Sequence, residues 1–287
     1  MSDIKRVGIL KLGAIGTAPL LDLLLDERAE RKDIEVRTVT SGSKLDEEPC
    51  VEVANKMTEL KPDLVVIISP NAGLKGPSKA REIMLAKGIP ILSISDSPSK
   101  KAFYDKNEEG KTVPVAPEGA GFIVLPMDPM IGARKEFLDP SEMALFNAEI
   151  IKLLSSTGVL RYVQLELEKI VEAIKAGKKP DLPKVTLKTE MALETAGFMN
   201  PYAYSKAYAA LKMAEMVADV TTTACFKEQD PDKYIPMVSA AHEMLRAATR
   251  LADEAREIEK GNDTVIRTSH SSSGKVQRKS KLLEKPK

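Results

Sequence analysis

Along the first 140 residues, short and mainly apolar runs alternate with stretches in which apolar residues recur at helical spacing. The runs fall at residues 7–10, 34–39, 64–68, 89–94 and 122–125, and amphipathic stretches lie between them at 18–26, 47–60 and 77–87. Strands that are apolar on both faces, with helix-length segments between them to cover those faces, predict βαβ units around a parallel sheet. The expected fold class is therefore α/β. The third helix is expected to open at Pro77, where a helix tolerates a residue without an N–H.

Past Asp139-Pro140, which reads as an N-cap followed by a proline in the first helical position, the pattern changes to long helices with no intervening strands. One helix is expected over 141–156, closed by Gly158. A second carries Leu160, Val163, Leu167, Ile170 and Ile174 on one face and stops at Gly177 and Pro180. An Ala-rich helix follows over 201–220. The last helix, over 236–260, puts Met237, Ala241, Met244, Ala248, Leu251, Ala255 and Ile258 on one stripe. At about 1.5 Å per residue it would be roughly 36 Å long, so it is expected to pack against another subunit. The end of the chain alternates again at 264–267 and 275–278, around Ser271-Ser272-Ser273-Gly274, and predicts a hairpin. The expected organisation is an α/β cofactor-binding domain over 1–140, a helical domain over 141–262 and a C-terminal hairpin and tail over 263–287.

Composition narrows the function classes. With 43 basic and 42 acidic side chains the 287-residue chain has a net charge of +1, which argues against a non-specific nucleic-acid binder. The tail is the exception. Residues 265–287 hold seven basic side chains against Glu284, so this segment carries +6 and the rest of the chain −5. A lysine-protected strand edge, an anion-binding rim or a nucleic-acid arm would each account for that asymmetry. Two cysteines, Cys50 and Cys225, are too few for a disulfide framework or a zinc site of their own and fit a reducing, cytoplasmic setting. No apolar run approaches the roughly 18 residues of a membrane helix.

The strongest local signal is a glycine turn set directly after the first strand and before the first helix, Lys11-Leu12-Gly13-Ala14-Ile15-Gly16-Thr17. Glycines let backbone approach a phosphate, and free amides at a helix start attract negative charge. The turn equally permits close packing alone. It departs from the dinucleotide fingerprint, because Lys11 stands where the first glycine of G-x-G-x-x-G belongs. After the second strand comes Thr40-Ser41-Gly42-Ser43-Lys44, without the carboxylate that holds the ribose of NAD. NAD is disfavoured, and a phosphate-bearing ligand or NADP suits the loop better. In a Rossmann-like sheet ligands bind at the carboxyl ends of the strands, so the candidate site draws on loops 11–17, 69–78, 95–98 and 126–135. Arg134 and Lys135 could pair with carboxylate or phosphate, or simply open the next helix.

Other chemistry is scarce. His242 has no second histidine at i+4 and reads as a partly buried structural residue; His270 is expected in a hairpin loop. Neither a nucleophile elbow nor a P-loop is present. No metal site is expected.

Several segments together resemble the coenzyme F420-dependent methylenetetrahydromethanopterin dehydrogenases of archaea. They are Lys11-x-Gly13-x-x-Gly16-Thr17, Gly76-Pro77-Ser78-Lys79-Ala80-Arg81, Gly132-Ala133-Arg134-Lys135-Glu136-Phe137-Leu138-Asp139-Pro140, Asn200-Pro201-Tyr202-Ala203 and Ala241-His242-Glu243-Met244, with the run from Ala252 to Thr268. The resemblance covers nearly the whole chain. Ser269 stands where it leads one to expect proline. It implies reversible hydride transfer between methylenetetrahydromethanopterin and F420, a dissociable 5-deazaflavin cosubstrate, in archaeal one-carbon metabolism and methanogenesis, without metal or bound flavin. It also implies a soluble cytoplasmic homohexamer whose partners are small molecules, with neither nucleic acid nor membrane. On this reading Lys11, Gly13, Ala14, Ile15, Gly16, Thr17, Ser69, Asn71 and Ser95 hold the cofactor. Met127, Arg134 and Lys135 meet the substrate, and Asp96 and Asp128 favour the cationic product. The runner-up is an NADP-dependent oxidoreductase using Ser41, Ser43 and Lys44.

Overall fold

A computed structural model of the chain describes residues 4–131, 134, 136–137 and 139–287. Strands β1 (Lys5–Lys11), β2 (Ile34–Thr40), β3 (Leu64–Ser69) and β4 (Ile91–Ser95) alternate with α1 (Leu21–Leu25), α2 (Glu47–Glu59) and α3 (Lys75–Ala86). A short 3₁₀ turn, Ala18–Leu20, leads into α1, so the first helix is shorter than its apolar pattern. Helix α3 begins two residues before Pro77. After β4 come α4 (Lys100–Phe103) and a small hairpin of β5 (Tyr104–Lys106) and β6 (Thr112–Pro114), which the periodicity missed because its strands are short and exposed. Strand β7 (Ala120–Val124) is followed by α5 (Pro140–Ser156) and α6 (Val159–Lys175).

The expectation of a purely helical segment after residue 140 is corrected by β8 (Lys184–Thr186), which joins the sheet beside β7. Three residues at a sheet edge are too few to show a period. The sheet order is β2-β1-β3-β4-β7-β8 and every neighbouring pair is parallel. β3, β4 and β7 are buried at each position, as strands covered on both faces must be. Connectivity reverses between β1 and β3.

The chain continues through α7 (Thr189–Ala196), α8 (Pro201–Thr222), a π-helical turn (Thr223–Lys227) and α9 (Pro231–Gly261). Helix α9 has 31 residues and starts five before the expected point, with Asp230 accepting from the Asp232 amide at its cap and Pro236 inside the helix. Its small-residue stripe is covered within the same chain: Ala241, Ala248, Ala252 and Ala255 are fully buried in one cluster with Ala203, Ala207, Ala210 and Ala214 of α8 and with α5. Its length therefore needs no second subunit. That cluster runs without a break from Ile9, Val66 and Ile123 of the sheet to α5–α9, so the segments before and after residue 140 share a core. Among the described residues no single helix is long and apolar enough to cross a membrane.

The chain ends in β9 (Arg267–His270) and β10 (Val276–Lys279), antiparallel, with the first strand three residues later than expected. His270 is thus not in the turn. It closes β9, fully buried, with Nδ1 2.7 Å from Glu27 Oε2 and Nε2 2.7 Å from Glu168 Oε1. Arg31, Asp33 and Lys175 extend this ion cluster, Arg31 Nε donating to Asp33 Oδ1 at 2.8 Å and Lys175 Nζ to Asp33 Oδ2 at 2.8 Å. Burial alone would lower the His270 pKa, but Glu168 and then Glu27 outweigh it and hold the imidazole protonated to higher pH.

Candidate functional site

At the carboxyl edge of the sheet, β1 runs into the glycine turn. Gly13 has φ +79°, a left-handed conformation that suits glycine, and a Cβ there would sit 3.0 Å from both Leu45 Cδ2 and Pro70 Cδ. The turn therefore lies against the start of the loop after β3, at the point where strand order reverses and open α/β sheets form their ligand crevice.

Amide accounting shows what this turn holds. Gly13 N donates to Gly42 O at 3.1 Å. Gly16 N donates to Asp128 Oδ1 at 2.7 Å and Thr17 N to Asp128 Oδ2 at 2.9 Å, with the Thr17 hydroxyl donating to Oδ2 as well. The anion seated on those two amides is thus the protein's own. Among the described residues, the amides of Ala14 and Ile15 have no acceptor within the chain. The same holds for Lys75 and Gly76 in the first turn of α3, whose N-cap Leu74 offers no side-chain acceptor. Of these residues Ala14 and Lys75 are exposed, whereas Ile15 is in the core and Gly76 is packed against the backbone of Leu45 and Asp46.

Asp128 comes from the loop after β7, which folds back over the sheet edge. The same loop is pinned by Asp96, whose carboxylate accepts from the amides of Ser97 and of Met130 (3.3 Å). Both acids are fully buried. Burial raises the Asp128 pKa to about 6, against the lowering effect of the Thr17 hydroxyl and the two amides. Burial, with the Asp128 charge adding to it, holds Asp96 well above the usual carboxylate range. Asp128 thus holds the glycine turn, and Asp96 holds the loop that carries Asp128.

The remaining residues expected at the site divide. Lys11 lies 3.7 Å from Asp22 Oδ2 at the crevice floor, and Asn71 caps its own loop, Oδ1 accepting from Gly73 N at 3.0 Å. Ser69 and Ser95 end their strands as expected but are buried, and Ser95 Oγ has no partner. Ala14 is exposed on the turn, and Ile15 is in the core. Met127 is likewise wholly in the core, facing Ile123 and Leu125 rather than solvent. Arg134 is occupied elsewhere: its Nη1 donates to Cys225 O at 3.1 Å, its Nη2 to Glu228 O at 2.9 Å, and its guanidinium lies 4.0 Å over the Tyr234 ring. Lys135 is outside the described residues.

The structure adds two cations that the loop positions did not suggest. A cavity of about 400 Å³ beside the crevice is lined by Asn71, Leu74, Ser78, Arg81 and Lys101. Arg81 reaches it from the second turn of α3, donating to Ala72 O. Its i,i+3 spacing from Ser78 on a helix that starts at the sheet edge was the available signal. Among the described residues no group of His, Cys, Asp and Glu could hold a metal ion. His242 packs between Phe137 and Phe146, ring centroids 5.0 and 4.5 Å away, in the structural role its spacing predicts.

The chain is an α/β protein built on an open parallel sheet, with the glycine turn, the loop after β3 and the acids Asp96 and Asp128 gathered at its carboxyl edge. The chain belongs to the methylene-5,6,7,8-tetrahydromethanopterin dehydrogenase family, whose sequence profile matches residues 5–287. It is 53% identical to the F420-dependent methylenetetrahydromethanopterin dehydrogenase of Archaeoglobus fulgidus, over 98% of each chain. Identity with the enzyme of that name from Methanothermobacter marburgensis is 50%, over 98% of this chain and 99% of that one. A solved structure of F420-dependent methylene-tetrahydromethanopterin dehydrogenase in complex with methylene-tetrahydromethanopterin and coenzyme F420 overlays with a TM-score of 0.91 at 43% identity, covering 99% of this chain and all of that one.

Proposed function

We propose that the chain catalyses reversible hydride transfer between 5,10-methylenetetrahydromethanopterin and coenzyme F420, as a cytoplasmic enzyme of archaeal one-carbon metabolism. The observation that carries this reading is the end-to-end overlay on a structure bound to that substrate pair. The crevice agrees with it in kind. A deazaflavin cosubstrate has no adenosine ribose to hold, so the loop after β2 needs no carboxylate, and its anionic tail suits the exposed glycine turn at Ala14 and the first turn of α3 at Lys75, with Lys11 at the end of β1. An NADP reading has less to stand on, since Ser41 Oγ is turned onto Lys44 O at 2.7 Å.

The chemistry asks little acid-base work of the protein. Hydride leaves the methylene carbon with its electron pair and passes to the deazaflavin, which also takes a proton from solvent water; the carbon becomes a methenyl cation shared by its two flanking nitrogens. Holding the reacting atoms about 3–3.5 Å apart can contribute roughly 7–11 kcal/mol. Asp128 and Asp96 are positioning residues in this scheme. Asp128 fixes the glycine turn and Asp96 the loop after β7, and Asp128, ionised above about pH 6, adds negative potential that favours the cationic product. Met127 is buried in the core, whereas Arg134 holds the loop after β7 to the start of α9.

The test is direct. Purified chain mixed with F420 and methylenetetrahydromethanopterin bleaches the deazaflavin absorbance; no change with that pair overturns the proposal. Asp128→Asn, which puts an amide donor against the Gly16 and Thr17 donors, lowers the rate on the order of 100-fold through misplacement of the turn. Self-association as a hexamer belongs to the same reading, and a monomeric mass in sedimentation rejects it.

A further inference from the structure

Where the terminal hairpin meets α6 and α9, three arginines lie near one another. Arg161 donates from Nη1 to Ala196 O at 3.0 Å and from Nη2 to Ile266 O, while its Nε is buried without a partner. Burial first, then the charges of Arg278 and Arg256, push its pKa down to about 10. Arg256 is half-buried on α9 and Arg278 is exposed on β10. Among the described residues neither guanidinium makes a hydrogen bond or ion pair.

The arginines line two hollows that share Thr264 and Ile266. One, of about 30 Å³, has Arg161 and Arg256 in its wall; the other, of about 400 Å³, has Arg278, Lys279 and Lys287. Glu259 and Glu284 share these hollows and already hold other donors, and the Lys287 backbone oxygen accepts from the Arg278 amide at 2.9 Å. Glu259 accepts from the amides of Met199 and Asn200 and from the Thr264 hydroxyl, and Glu284 accepts from the amides of Ser280 and Lys281. Like charges gathered around a concave, partly dry surface repel one another unless an anion sits among them. Guanidinium is the group whose planar fork matches carboxylate or phosphate oxygens in pairs.

We propose that this cleft between α6, α9 and β10 binds a small multivalent oxyanion, with Arg256 and Arg278 as its two forks and Arg161 as the fixed cation behind them. The ligand class is phosphate or carboxylate bearing two or more adjacent charges. No residue named here lines the switch-point crevice, so the site is separate from the one proposed for hydride transfer and stands or falls without it. Occupancy ties the hairpin to α6 and α9 and supplies the counter-charge for its basic strand.

Pyrophosphate and citrate, titrated into the full-length protein at constant ionic strength set with sodium chloride, separate the two chemistries. The expected result is a saturable rise in melting temperature and a calorimetric binding isotherm for at least one of them. Affinity falls tenfold or more in Arg278→Gln, a surface change that leaves the fold intact, and further in the double variant with Arg256→Gln. Hydride-transfer activity is unchanged in both. A response to neither anion overturns the proposal, as does an equal response in the variants. A smaller sedimentation mass in the variants also overturns it, because the arginines would then face an acidic surface on a second copy.

Discussion

Gly16 shows how little room a single position in the turn leaves. A Cβ there would stand 2.6 Å from Ile150 Cγ2 and 3.0 Å from Asp128 Oδ1. Gly16→Ala therefore forces the turn away from α5 and loosens its hold on Asp128, at a cost of about 1–3 kcal/mol, read as a lower denaturant midpoint with unchanged slope. Asp128 and His270 carry opposite pH dependences. A carboxyl raised to about 6 is favoured in its protonated form by the fold, so the stability tied to Asp128 is complete below the ordinary value of about 4 and is lost as pH rises to about 6. A histidine raised above its ordinary value stabilises the fold below about 6.5, and that contribution disappears as pH climbs through the folded pKa. His270→Gln should flatten the alkaline limb of the stability-pH curve. It also lowers stability by roughly 3–5 kcal/mol, as expected when one member of a buried ion cluster is removed; an unaltered alkaline limb would show that His270 stays neutral.

At the scale of elements, local signals and packing can be separated. The Asp139-Pro140 pair works as its chemistry predicts, Asp139 Oδ1 accepting from the amides of Ser141 (2.7 Å) and Glu142 (3.3 Å) at the start of α5. Asp139→Ala should cost about 0.5–2 kcal/mol in thermal or denaturant melts. The same Asp-Pro signal starts α9 at Asp230-Pro231, five residues before the start that the Ala/Met stripe predicts, so that Pro236 lies within two turns of the helix start. The stripe on α9 shows the reverse limit. Its small residues correctly announce a close helix contact, but periodicity is indifferent to whether the partner is another subunit or α8. Ala248→Leu should overpack that contact by about 1–3 kcal/mol and lower the melting temperature. A neutral result would mean that α8 and α9 have room the buried alanines do not suggest.

For the whole molecule, strands β1 to β4 and β7 and the long helices were legible in the amino-acid sequence, and so was the family. Each depends on spacing or composition within some ten or twenty neighbouring residues. The strand β8, the partner of the α9 stripe and the occupant of the glycine-turn amides were not legible, because each depends on residues far apart in the chain. Asp128 meets Gly16 across 112 positions, and His270 meets Glu27 across 243. The loop basic residues illustrate the difference within one segment: Arg134 was marked by its charge as a ligand contact, and folding spent that charge on the carbonyls of Cys225 and Glu228. The sequence by itself determined the main strands, the long helices and which chemistry is at hand. Tertiary structure alone decided which polar groups remain free to meet a ligand, since hydrogen-bond partners are settled by three-dimensional proximity that no local period encodes.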